Sequence, residues 1–79
     1  MKVTITINRR PEIADPEGTT VRRALHELGF SEAGEVRMDR VIHMEVESDD
    51  PRQVKARVED MCRRLLANPI LEDFEVEVG

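Results

Sequence analysis

Three stretches of this chain alternate apolar and polar side chains, and that period of two restricts its fold more than any other feature. From Met1 to Asn8, Val3, Ile5 and Ile7 share one side, while Lys2, Thr4, Thr6 and Asn8 share the other. β-Branched residues on one side only describe a half-buried strand. A second such run covers about Glu35–Glu47, with Val36, Met38, Arg40, Ile42, Met44 and Val46 on its mostly apolar side. The third covers about Ile70–Val78, with Ile70, Phe74, Val76 and Val78 facing away from Asp73, Glu75 and Glu77.

The segments between the strands have helical period. Asp15-Pro16-Glu17-Gly18 reads as a turn, because proline presets φ at its second position and Gly18 accepts a positive φ. The helix behind it takes Thr19 or Thr20 as its cap and carries Val21, Ala24, Leu25 and Leu28 on one face. Gly29 stands at the left-handed C-cap position. Asp50 caps a second helix, Pro51 occupies its first turn, and Gln53 is spaced to close a capping box. Val54, Val58, Met61, Cys62, Leu65 and Leu66 form its apolar face, and Asn68-Pro69 stops it.

The order β-α-β-α-β, with every strand apolar on one side, predicts an α+β fold. It is a two-layer sandwich of a largely antiparallel sheet with both helices on its dry face. One domain, residues 1–79, accounts for the whole sequence. A chain this short buries only about 60% of the surface its unfolded form exposes. Cys62 is its single cysteine, so no internal disulfide staples it. One Cys and two His cannot build a four-ligand zinc site. Three strands leave two open edges, which invite pairing with another copy. We therefore expect the sheet to be extended by dimerisation. Arg40 on the apolar side fits this view, since a charge there needs a partner or a route to solvent.

Charge and composition exclude several functions. With 12 basic against 17 acidic residues the net charge is −5, the wrong sign for neutralising phosphates. There is no Trp, no Tyr and only Phe30 and Phe74, so no stacking platform for single strands exists. No apolar run approaches the ~20 residues of a membrane span, and no signal-peptide core is present. With the lone thiol, this reads as a cytoplasmic protein without nucleic-acid or membrane partners.

Catalytic chemistry is sparse. Asp49-Asp50 sits at a helix start, where carboxylates cap amides and meet the dipole. His26 and His43 lie on polar faces, apart from each other and from any nucleophile. Cys62 continues an apolar face and reads as a buried, inert thiol. Gly18 before a helix does not by itself make a phosphate loop. These residues describe an oligomerising module with no catalytic residue, cofactor site or metal site of its own.

One set of motifs carries a family resemblance across the chain. Asp15-Pro16-Glu17-Gly18 is followed by Val21 and Ala24-Leu25, Val36-Arg37 opens the long strand, and Met61-Cys62 precedes Leu65-Leu66-Ala67-Asn68-Pro69 and Glu72-Asp73-Phe74. This order and spacing resembles PurS, the small subunit of phosphoribosylformylglycinamidine (FGAM) synthase. Asp39-Arg40 replaces a frequent Gly-Lys of the family, and Phe74 replaces a frequent Tyr.

The resemblance implies a subunit of a glutamine-dependent, ATP-using C–N ligase of purine synthesis. A glutaminase subunit releases ammonia and a large synthetase subunit activates the formyl oxygen of formylglycinamide ribonucleotide. The small subunit, a dimer or tetramer, bridges the two and assists ammonia transfer. Mg²⁺ and ATP are then expected on the large subunit and not here. Arg37, Arg40, Glu72 and Asp73 are the candidate subunit contacts. The competing reading is a small-molecule regulatory module resembling ACT domains. Such domains wrap a ligand with a glycine-containing loop after the first strand, where this chain has Arg9-Arg10-Pro11.

Overall fold

A computed structural model describes all residues, 1–79. In chain order the elements are β1 (Lys2–Arg9), α1 (Pro16–Glu27), β2 (Arg40–Glu45), α2 (Pro51–Met61), a π-helical turn (Cys62–Leu66) and β3 (Glu72–Val78). β1 lies in the middle of a three-stranded sheet of order β2-β1-β3, antiparallel to both neighbours. This is the α+β architecture that the alternation predicts.

Register sorts the two faces. Ile5 pairs with Ile42 and Val76 on one face, while Thr4 pairs with His43 and Glu77 on the other. α2 lies over the apolar face, and Val54, Val58, Cys62 and Ala67 join Val3, Ile5 and Ile7 in one core cluster. Met44, Val46, Phe74 and Val76 pack around its rim, half-buried. The centre of the sheet is thus the centre of the core.

Several boundaries differ from the sequence expectations, each for an identifiable reason. α1 begins at Pro16 and its N-cap is Asp15, whose side chain accepts from Gly18 N at 2.9 Å. A type I turn and the first turn of a helix share right-handed dihedrals, so Asp-Pro-Glu-Gly satisfies both. Thr19 and Thr20 lie inside the helix, with hydroxyls donating back to the carbonyls of Asp15 and Pro16. Gly18 has no positive φ; the glycines that do are Gly29 and Gly79. What position 18 requires is space, because a Cβ there would lie 1.9 Å from the carbonyl oxygen of Val36.

Gly29, at φ 100°, closes α1 as expected. Phe30 N donates to Leu25 O and Gly29 N to His26 O, the paired bonds of a Schellman motif. At α2, Asp50 caps the amides of Arg52 and Gln53. The return bond of the capping box comes from Ser48, whose Oγ accepts from Asp50 N at 3.2 Å, and not from Gln53.

β2 starts at Arg40 and not near Glu35, because its pairing with β1 ends at Ile7–Arg40. Before it, Met38 N is already taken by the Asp15 carboxylate at 2.7 Å. At the end of α2, Ala67 N donates to Cys62 O at 2.9 Å, a five-residue step that widens the turn. That widening buries Cys62 and Ala67 and swings Leu65 out to 82% exposure, so Leu65 is not core while Leu66 stays half-buried. β3 begins at Glu72, and Ile70, 76% exposed, belongs to the turn before it.

Within this fold the helices are not equivalent. α2 contacts β3, whereas α1 packs along neither the sheet nor α2. Its links run to the segment before β2, through Gly18 against Val36 and Asp15 to Met38. The radius of gyration is 16.0 Å, against about 12 Å for a compact chain of this length. The expectation of two helices on one face therefore holds for α2, and the apolar stripe of α1 is only partly covered: Val21 and Leu25 are half-buried, while Ala24 and Leu28 are exposed, as is Phe30 beyond the helix.

Candidate functional site

The charged residues singled out in the sequence collect at one end of the sheet. The end of β1, the segment before β2 and the turn into β3 meet there around a cleft of about 370 Å³. Its walls include Arg9, Asp15, Asp39, Arg40, Asn68 and Glu72.

Asn68 builds the turn. Its Oδ1 accepts from Ile70 N at 3.0 Å, and its carbonyl accepts from Leu71 N and Glu72 N at 3.1 and 2.8 Å. Side chain and backbone together replace the bonds that a helix or ladder would supply. Asn68 N in turn donates to Glu72 Oε1 at 2.8 Å. Arg40 reaches across β1 from β2, and its Nη2 donates to both oxygens of Glu72 at 2.8 and 2.9 Å. The Asn68 amide, helped by the Arg40 guanidinium, holds the Glu72 carboxyl below its ordinary range, against a smaller opposing effect of burial. Arg40 thus finds its partner inside the chain.

Arg10 fastens the other side of the same turn. Its Nη2 donates to Pro69 O at 2.8 Å and its Nε to Asp73 Oδ1 at 3.2 Å, while its backbone N–H donates to Leu71 O at 2.9 Å. Arg37 works inward. Its Nη2 lies 3.3, 3.0 and 3.1 Å from the carbonyl oxygens of Arg9, Arg10 and Ile13. One guanidinium therefore holds the loop after β1 in shape. Asp15 completes the frame: it is buried, bonded to the amides of Met38 and Gly18. These two amides hold its carboxyl below the ordinary range, the Met38 contact being the larger cause.

The four sequence candidates thus lie in one region but in two kinds of setting. Arg40 and Asp73 have side chains 56% and 64% exposed, whereas Arg37 and Glu72 are 26% and 13% exposed. Only Arg40 and Glu72 touch each other. Sequence reasoning missed Arg10, Asp15 and Asn68 as members of the site. Asn68 and Asp15 carried a signal, since both precede proline and read as a helix stop and a turn start. Arg10 carried none, because its partners are about sixty positions away.

The other candidates fall elsewhere. Cys62 is fully buried, and burial pushes its thiol above the ordinary range. His26 is exposed, with Nε2 2.7 Å from Ala33 O, and His43 sits on the polar face opposite Thr4. No three His, Cys, Asp or Glu side chains converge as metal ligands, and no helix is long and apolar enough to cross a membrane. What the site gathers is guanidinium, carboxylate and carboxamide groups, which recognise charged and hydrogen-bonding surfaces.

Comparison with known proteins agrees with the motif pattern. Residues 2–79 match the family described as PurS: Phosphoribosylformylglycinamidine (FGAM) synthase. A relative from Methanocaldococcus jannaschii, a phosphoribosylformylglycinamidine synthase subunit PurS, is 40% identical over 77 residues, covering 98% of this chain and 93% of its own. A PurS structure from Bacillus subtilis superposes with a TM-score of 0.90 at 33% identity, covering 99% of this chain and 96% of that one. A chain in the structure of PurLQS from Thermotoga maritima superposes with a TM-score of 0.85 at 33% identity, covering 96% and 93%.

Proposed function

This chain belongs to the PurS family, and on that premise we propose that it is the small subunit of a phosphoribosylformylglycinamidine synthase of purine biosynthesis. The match over residues 2–79 carries the reading, because it spans nearly the whole chain. The likeness to a chain of a PurLQS structure supports work within a complex. At the level of that complex the reaction is a glutamine-dependent, ATP-using C–N bond formation. Within it this chain has a bridging role between the large synthetase subunit and the glutaminase subunit, and assists passage of ammonia. Mg²⁺ and ATP belong to the large subunit, and this chain supplies structure and contacts in place of catalytic groups.

Self-association is part of the reading. α1 packs on neither the sheet nor α2, and Leu28 and Phe30 are exposed at its end. β2 and β3 are both open edges. A second copy that covers α1 and continues the sheet removes both liabilities. The end of the sheet is then free for the other subunits. Arg40 and Asp73 present charge outward there, while Arg37 holds the loop after β1 and Glu72 ties Arg40 to the Asn68 turn.

Native mass spectrometry tests this, first on the chain alone and then with the synthetase and glutaminase subunits of its own host, glutamine and Mg-ADP. The expected result is a homo-oligomer that joins a three-component complex. Arg40→Glu is expected to weaken incorporation about tenfold or more, as removal of one charged contact does. A chain that ignores both partners under every condition refutes the subunit role. Full incorporation of Arg40→Glu removes Arg40 from the interface and leaves that role standing.

A further inference from the structure

The cleft at the end of the sheet contains charge that its own hydrogen bonds do not use. Asp15 and Glu72 are occupied, the first by the amides of Gly18 and Met38, the second by Asn68 and Arg40. Glu17 and Asp39 line the same cleft and take part in no ion pair. On the basic side, Arg9 commits Nη1 alone, to Ala14 O at 3.2 Å. Arg40 commits Nη2 alone, to Glu72, so its Nη1 and Nε keep their hydrogens free. Met38 and Leu71 supply the apolar lining.

A ligand must answer both signs of charge. A simple anion would satisfy the arginines and be repelled by Glu17 and Asp39. A simple organic cation would meet the reverse. A metal ion lacks its ligand set, since no three acidic, His or Cys side chains converge. A molecule with an anionic and a cationic group a bond or two apart meets both demands. The geometry points to a free α-amino acid as the ligand of this cleft. Its carboxylate takes the spare N–H donors of Arg9 and Arg40, a planar match that guanidinium makes well. Its ammonium donates to Asp39 and Glu17. Its side chain rests on Met38 and Leu71, and about 370 Å³ admits a short one. Arg40 also belongs to the proposed subunit surface, so the test uses the chain's own oligomer without the other subunits.

Amide NMR of the ¹⁵N-labelled protein, in its native oligomeric state, tests it. The probes are glycine, L-alanine and L-methionine, with ethylamine and propionate as L-alanine stripped of its carboxyl or its amino group. The expected result is saturable shifts at the amides of Gly18, Met38, Asp39 and Asn68 with at least one amino acid. Ethylamine and propionate are expected to bind about tenfold or more weakly than L-alanine, since each lacks one charged contact. Asp39→Asn and Arg9→Gln are each expected to weaken the amino acid similarly, with dispersed spectra showing that both still fold. No saturation by any amino acid up to about 50 mM, where affinity is too low for a site, overturns the proposal. So does propionate binding as well as L-alanine, which would make the cleft a plain anion surface. Unchanged binding in both variants also overturns it.

Discussion

Replacing Gly18 with alanine tests the contact that ties α1 to the rest of the chain. The new Cβ would lie 1.9 Å from Val36 O, 2.8 Å from Val36 C and 3.3 Å from Asp15 Cγ. A carbon–oxygen contact normally needs about 3.3 Å or more, so the carbonyl must retreat by roughly 1.4 Å. It is backbone and has little freedom to do so. Two residues on, Met38 N is bonded to the Asp15 carboxylate, and between them Arg37 grips three carbonyls of the preceding loop. Forced overpacking costs about 1–3 kcal/mol. Alanine returns up to about 1 kcal/mol by its better helix propensity. Against backbone the upper part of that cost, about 2–3 kcal/mol, applies, so the expected net loss is about 1–2 kcal/mol, which lowers the Tm of a domain this size by roughly 4–16 °C.

The assay is thermal unfolding followed by far-ultraviolet circular dichroism, at one fixed protein concentration because association shifts Tm. Gly34→Ala is the matched control. Nothing lies within 4 Å of a Cβ at Gly34 and its φ is not positive, so it is expected to be neutral or to stabilise by about 0.4–1 kcal/mol through the unfolded chain. Gly18→Ala melting at or above wild type refutes the reasoning. Helix propensity would then act unopposed, and the approach of Val36 to α1 would not be enforced in solution.

Three further outcomes are expected. Ile5→Ala, at a side chain 0% exposed in the middle of the sheet, is expected to lose about 2–5 kcal/mol in urea unfolding; a loss well below that range shows that the centre of the core lies elsewhere. Asp15 and Glu72 have folded pKa values depressed below 3.8 and 4.5, so their stabilisation is present above those values and lost as pH falls through the depressed ones. Tm is therefore expected to stay level down to about pH 5 and to fall below it, less steeply in Glu72→Gln; an equal slope in that variant removes Glu72 from the account. Cys62 is buried with its thiol pushed above 9.0, so iodoacetamide is expected to label it slowly in the native protein and rapidly in denaturant; equal rates would show that α2 does not seal it.

The sequence made the periodic parts of this fold legible and hid the aperiodic ones. Val3, Ile5 and Ile7, with Val54, Val58 and Cys62, announce their burial by spacing alone, and all six are in the core. Leu65 misleads because the helical period changes at the π turn, which nothing local to Cys62–Leu66 declares. The start of α1 misleads because Asp-Pro-Glu-Gly suits a free turn and a helix start equally well. At the site, residue types were legible and pairings were not. Alternation puts Arg40 on the apolar side correctly, yet its partner Glu72 is 32 positions away. The frame of Arg10, Asp15 and Asn68 depends on contacts that appear only once the chain is folded.

The π turn has a consequence for how the length of this chain can vary. Removing one residue from Cys62–Leu66 would let the five-residue step close to an ordinary four-residue one. Everything after it would then rotate by about a quarter turn or more about the helix axis and shift along it. Asn68 N would leave Glu72, and Arg10 would lose Pro69 O and Asp73 together. By contrast, one residue more or less around Gly34, where nothing crowds the chain, is absorbed by a loop. Insertions and deletions should therefore accumulate between α1 and the Val36 segment, and the stretch from Cys62 to Glu72 should keep its residue count even where its residue types drift.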